Sequence, residues 1–222
     1  MGRNIFKLLA IGLFLGMTSL KVYAFDNHDF QVWNTDTEEF KINKSSKAVI
    51  EQEFRLGKSA SVFYYQHYDF AYVHELNKYL NVGLGYRYVE ELKKNKWRDE
   101  SEPYGMATLF WTLAGFKFED RSRLEYRYFD YQVSSWRYRN KFTTKAPWSF
   151  TKMKIQPYIC DEIFSRLNGM DINENRFSAG LGLNLTKNLK GEIYYMLRST
   201  KNTNICTWNE ANVLGTKLKI TF

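Results

Sequence analysis

His67 and Asp69 stand two residues apart, so on an extended chain they share a face, the relation a catalytic base has to the acid that orients it. Ser59, Ser61 and Tyr65 are near in sequence and could supply a hydroxyl for ester hydrolysis at a membrane rim. No serine occupies a nucleophile-type motif, and His28 and His74 read as strand-end residues, so a lipid or surface hydrolase is the alternative and not the leading expectation. The pairs Gly83-x-Gly85 and Gly180-x-Gly182 lack the third glycine of a phosphate loop and fall mid-strand. Glycine there would let strands curve or neighbouring side chains swing across. Cys160 and Cys206 without a histidine partner do not make a metal site, and no cofactor is expected; a disulfide between them is allowed in an oxidising compartment. Lys93, Lys94, Lys96 and Arg98 read as a solvated outer-loop cluster, with lipopolysaccharide phosphates as the weaker alternative.

The elements that would position these groups are strands. Leu80, Val82, Leu84, Tyr86 and Tyr88 alternate with Asn81, Gly83, Gly85 and Arg87, and Leu124, Tyr126 and Tyr128 alternate with Arg123, Glu125 and Arg127. The same period returns at Trp136–Phe142, at Phe177–Leu185 and in the last segment, Leu214–Phe222. Eleven such windows begin near residues 30, 47, 63, 79, 104, 121, 135, 151, 175, 189 and 208. They are longer than soluble strands and match the roughly 9 to 11 residues that cross a bilayer at a tilt. Tight connections at Asn43–Ser46, Asn77–Lys78, Glu119–Asp120 and Lys187–Asn188 alternate with longer charged stretches at Glu90–Pro103, Arg166–Asn175 and Ser199–Trp208. Short turns on one side and longer loops on the other are the pattern of a transmembrane barrel.

Composition agrees. Of 222 residues, 18% are aromatic, an excess that interfacial girdles of Tyr, Trp and Phe would use. The 32 Lys and Arg exceed the 24 Asp and Glu, but the cations are interleaved with acids and form no contiguous stripe, which argues against a nucleic-acid partner. Residues 1–24 have the basic start, apolar run and small-residue ending of a signal peptide cleaved before Phe25, leaving 25–222 as one domain.

These features together predict an all-β, antiparallel transmembrane barrel of 10 to 12 strands in the outer membrane of a Gram-negative bacterium. The terminal strand ending in Phe222 resembles the segment by which the barrel-assembly machinery recognises its substrates, which makes Phe222 the expected membrane-insertion signal. Eleven windows conflict with the even strand number of bacterial barrels. Either a further pass lies near Phe25–Asp29, or residues 25–42 are not an ordinary lipid-facing strand.

Trp33-Asn34-Thr35, Glu51-Gln52-Glu53-Phe54-Arg55, Leu84-Gly85-Tyr86-Arg87-Tyr88 and, above all, Asp120-Arg121-Ser122-Arg123-Leu124-Glu125-Tyr126-Arg127 resemble the motifs of an uncharacterised family of small bacterial outer-membrane barrels, known as a domain of unknown function. The resemblance extends over nearly the whole mature chain and implies the barrel fold without an activity.

If the apolar rows face lipid, the inward rows carry Glu51, Glu53, Arg55, His67, Asp69, Arg87, Arg123, Glu125, Arg127, Arg137, Arg139, Lys141, Lys154, Glu162, Glu192, Arg198, Lys217 and Lys219, eleven of them basic and six acidic. The first expectation is a polar core that ties the walls together. The second is a narrow pore whose basic lining favours anions. A hydrolase, or a surface-binding protein acting through the long loops, is the alternative. The expected partners are outer-membrane lipids and lipopolysaccharide; the sequence leaves the oligomeric state open.

Overall fold

Runs of β-branched and aromatic residues at alternate positions favour extended chain, and extended chain has to find partners for its backbone N–H and C=O groups. In the computed structural model, which describes residues 27–168, 171–202 and 207–222, they find them in neighbouring strands. The order is β1 (Asp29–Lys41), β2 (Ser46–Gly57), β3 (Val62–Asn77), β4 (Leu80–Lys93), β5 (Lys96–Leu113), β6 (Phe116–Phe129), β7 (Ser135–Lys145), β8 (Gln156–Arg166), β9 (Asp171–Asn184), β10 (Leu189–Asn202) and β11 (Thr207–Thr221). Consecutive strands pair antiparallel, and β1 pairs in parallel with β11 to close the barrel.

The parallel pair follows from parity. Up-and-down strands alternate in direction, so the first and the eleventh run the same way. The conflict between eleven windows and an even count is therefore settled differently from both expected routes: β1 is a regular wall strand, matched to β11 from Asp29↔Ala211 to Glu39↔Thr221. The signal peptide expected at residues 1–24 lies outside the described residues.

Local contacts hold β1 at both ends. At one mouth the Phe222 amide donates to the Glu39 carbonyl at 2.9 Å, the Phe40 and Phe222 rings stack at 4.9 Å, and Lys219 lies 2.8 Å from the Glu39 carboxylate. At the other, Lys58, Ser59 and Ala60 all take left-handed backbone angles, at about 1–2 kcal/mol per residue for non-glycine types. The Asp29 carboxylate offsets that strain by accepting the Lys58 and Ser59 amides at 3.0 and 2.9 Å, which also ties the β2–β3 turn to the start of β1.

The connections differ from the expected pattern. Glu90–Pro103 is not a loop: β4 continues to Lys93, β5 starts at Lys96, and Lys94 and Asn95 form a two-residue turn with positive φ at both positions. Likewise β8 and β9 leave only 167–170 between them, and β10 and β11 only 203–206. Glu119 and Asp120 lie within β6, and the turn before it is Ala114–Gly115. The long connection is 146–155, on the Phe222 mouth, where short turns were expected.

Burial is inverted relative to a protein built for water on its outside. The outward rows expose Leu84 at 72% and Phe70 at 59%, whereas inward Arg87 and Glu125 are exposed at 4% and 0%. Trp111, Phe118 and Phe142 cluster near the Phe222 mouth, with Trp111 5.4 Å from Phe118, while Tyr126, Tyr128 and Trp136 cluster toward the Asp29 mouth, with Tyr126 4.9 Å from Trp136.

The register at the seam is directly testable. The Asn34 amide donates to the Thr216 hydroxyl at 3.1 Å across β1 and β11. In a background with Cys160→Ser and Cys206→Ser, Asn34→Cys with Thr216→Cys should oxidise to an intramolecular disulfide that retards unfolding. Asn34→Cys with Ile220→Cys, about 13 Å further along the strand, should not. A cross-link in the second pair but not the first would refute the parallel register.

Candidate functional site in the barrel lumen

Alternation turns every second side chain inward, and the strand register then sets charges side by side. Glu51, Asp69, Arg87 and Glu102 are consecutive cross-strand partners on β2, β3, β4 and β5. Arg87 reaches Asp69 at 2.7 Å and Glu51 at 3.6 Å. Arg123 reaches Asp69 at 3.3 Å and Glu125 at 3.5 Å, and Arg137 bridges Glu102 at 2.6 Å and Glu125 at 2.5 Å. Arg127 holds Glu100 and lies 3.1 Å from Glu102. Arg139 donates to Glu162 at 2.6 Å, and Arg176 and Arg198 each donate to Glu174 at 2.7 Å. Arg55 donates to Glu53 at 2.7 Å.

Aromatic posts complete this half of the lumen. The Arg55 guanidinium stacks 3.6 Å from the Trp33 ring and 3.8 Å from Tyr65, Arg123 lies 3.7 Å from Tyr104, and Arg176 lies 4.4 Å from Phe164. A guanidinium is weakly hydrated and planar, so it can satisfy a carboxylate at its edge and a ring on its face. Glycine makes room for three of the large inward rings, Tyr104, Tyr158 and Tyr194. A Cβ on Gly85 would overlap Tyr104, and one on Gly180 would come within 2.8 Å of the Tyr158 ring, so each tyrosine lies across a glycine of the adjoining strand.

All ten residues expected in the lumen network, Glu51, Glu53, Arg55, Arg87, Arg123, Glu125, Arg127, Arg137, Arg139 and Lys141, face inward. The first nine belong to the ion-paired half, and Lys141 points into a separate chamber. Lys154 is a correction: it sits in the 146–155 connection and is exposed. Glu100, Glu102, Glu174 and Arg176 were missed. The first two lie in the stretch read as a loop; the alternation of Arg98, Glu100, Glu102, Tyr104 and Met106 was the available signal. With them, the surplus of positive charge expected throughout the lumen disappears from this half.

Of the hydrolase constellation the Tyr65 hydroxyl meets His67, whereas Asp69 and the two serines do not. Asp69 is engaged by Arg87, Arg123 and the Tyr104 hydroxyl, while the buried His67 ring contacts Tyr65 at 3.1 Å and Glu51 at 3.3 Å. Ser59 and Ser61 lie in the β2–β3 turn at the Asp29 mouth. Among the described residues Cys160 is free and is buried facing the lumen; Cys206, with which a disulfide is allowed, lies outside the described residues. In the basic cluster, Lys93 pairs with Glu91 at 2.8 Å and Arg98 with Asp130 at 3.4 Å, so this is a partly neutralised hairpin end.

A family model described as "Protein of unknown function (DUF2490)" matches residues 30–209, which takes in β2 to β10 and nearly all of β1. The chain belongs to that family. No curated protein and no solved structure matches it.

The network makes a quantitative prediction. Glu125→Ala would leave Arg123, Arg137 and Arg139 facing one another without the carboxylate that separates them, and should cost about 3–5 kcal/mol in reversible unfolding. Asp130→Ala, which removes the exposed partner of Arg98, should cost about 0–1 kcal/mol. Equal effects would show that the buried cluster does not hold the wall.

Proposed function

We propose that this is a Gram-negative outer-membrane protein, made with a cleaved signal at residues 1–24, whose side-chain-filled barrel acts as a membrane-embedded structural element and not as a general diffusion pore. The observation that carries the reading is the inverted burial: an apolar, ring-flanked outer wall around an ion-paired interior. Hydrocarbon wets such a wall at no cost, and closure leaves no unpaired strand edge within the bilayer. Polar groups on the outer wall largely bond to one another, which suits the same setting. Asn140 donates to Asp120 at 2.6 Å and to Ser122 at 3.3 Å, and the Ser122 and Tyr138 hydroxyls lie 2.9 Å apart.

The case against a wide pore rests on what crosses the lumen. Trp33, Phe164, Gln31, Glu102, Glu125 and Val213 have almost no exposed surface, and the Trp33 indole donates to Gln31, which also accepts the Tyr64 hydroxyl. Opening this section would mean separating buried ion pairs. Phe222, stacked on the seam, is the proposed mark for the assembly machinery.

Fractionation and planar-bilayer recording test both parts. The processed chain should sediment with outer membranes, resist carbonate extraction and show heat-modifiable gel mobility, and the purified protein should give no steady conductance. Recovery as a detergent-free monomer would refute the membrane placement. Large, stable channel events from the wild type would refute the filled lumen. A small anion-selective conductance would support the narrow-pore reading, which the lysine-lined chamber on the Phe222 side favours.

A further inference from the structure

The two halves of the lumen are charged differently. Toward the Asp29 mouth, arginines and carboxylates pair. Toward the Phe222 mouth, the register instead sets like charges opposite each other: Arg121↔Lys141 and Lys117↔Lys145 on β6 and β7, and Lys190↔Lys219 on β10 and β11. Such directly opposed cations are destabilising unless something negative lies between them. Lys219 has Glu39, and Arg121 lies 3.7 Å from Glu162. Lys141 also faces Glu162 across β7 and β8, but among the described residues neither Lys141 nor Lys145 has a carboxylate at ion-pair distance.

Both of these lysines line a chamber of about 90 Å³, together with Lys217, Thr143, Ser178 and Cys160. Its two carboxylates are Glu119 and Glu192, and Glu192 is already engaged by Lys217 at 3.5 Å and by the Tyr158 hydroxyl at 3.1 Å. The volume corresponds to about three waters at ~30 Å³ each, enough for a compact tetrahedral ion.

We propose that this chamber is a binding site for a small oxyanion of the phosphate class, held by the ammonium groups of Lys141 and Lys145 with the Thr143 hydroxyl as a neutral donor. The site deepens the narrow-anion reading of the lumen and rests on its lysine-lined half, but it requires neither conduction nor a particular membrane. An anion seated there neutralises Lys141 and Lys145 of β7, which both line the chamber. Lysine suits the task because its compact, rotatable ammonium can follow a small ion, whereas the planar arginines of the other half are fixed in fork-like pairs.

Cys160 gives a built-in reporter. In folded, detergent-solubilised full-length protein carrying Cys206→Ser, the modification rate of Cys160 is measured with a sulfonate-bearing and with a trimethylammonium-bearing methanethiosulfonate reagent, with and without inorganic phosphate. The anionic reagent should react about tenfold faster, within the range by which a charged cleft accelerates entry of its counter-ion. Millimolar phosphate should slow it, whereas equal ionic strength of chloride should not. Lys141→Gln with Lys145→Gln should abolish both the preference and the protection, and Lys141→Arg with Lys145→Arg should keep the preference; heat-modifiable mobility confirms that each variant is folded. Equal rates for the two reagents, no protection by phosphate, or no modification of the folded protein by either reagent would each overturn the site. Because labelling is read in micelles, these outcomes are separate from those of fractionation and conductance.

Discussion

Glu125 has no exposed surface and three arginines around it, and the rest of the barrel depends on that kind of enclosure. A chain that presents leucine and phenylalanine outward has to send its charges inward, and the space inside a narrow barrel is too small to hydrate them individually. Each inward charge then needs a partner supplied by register. Because one residue of slippage would turn every inward side chain outward, the same ion pairs that neutralise the lumen also fix how the strands align. The Glu51–Asp69–Arg87–Glu102 row is an example: four strands are held in one register by one arginine and the carboxylates around it.

Much of this was legible because alternation is a local property. Eleven windows within an expected count of 10 to 12 strands, most of their inward rows and the nine arginine-half residues follow from period two alone. Charged residues were misread where they lie in strands that continue past the apolar run: Glu100 and Glu102 sit in β5 beside Asp99 and Arg98, and the density of charge there looks like a solvated loop. Pro103 adds to the ambiguity, since proline is a poor strand residue. It is nevertheless within β5, opposite Tyr86 on β4, and the antiparallel pairing of β5 with β6 resumes at Tyr104↔Glu125. Two effects invisible to local pattern decided the remaining differences. The parallel seam depends on the parity of the whole chain, and the division of the lumen into paired and unpaired halves depends on which strands become neighbours.

The arginine half and the lysine half also differ in what their side chains can do. Guanidinium groups stacked on Trp33, Tyr104 and Phe164 are held by a ring face as well as by a carboxylate, so each is restrained in two directions. Such a lattice resists deformation but leaves little freedom to admit a solute. Among the described residues Lys141 and Lys145 have neither restraint, and their flexible stems can rearrange around whatever enters. The wall is therefore stiffened at one end of the lumen and adaptable at the other.

Parity connects this division to orientation. With an even strand count both chain ends would share a mouth; with eleven, Asp29 and Phe222 lie at opposite mouths, and the lysine chamber lies in the Phe222 half of the lumen. On the proposed reading that assembly recognises Phe222 from the periplasm, the chamber faces the periplasm and the arginine lattice faces outward. That arrangement puts the dense, ion-paired section between the chamber and the external medium. An anion could then reach the lysines from within the cell envelope while the outer half of the barrel stays closed, so occupancy of the chamber and sealing of the membrane do not compete.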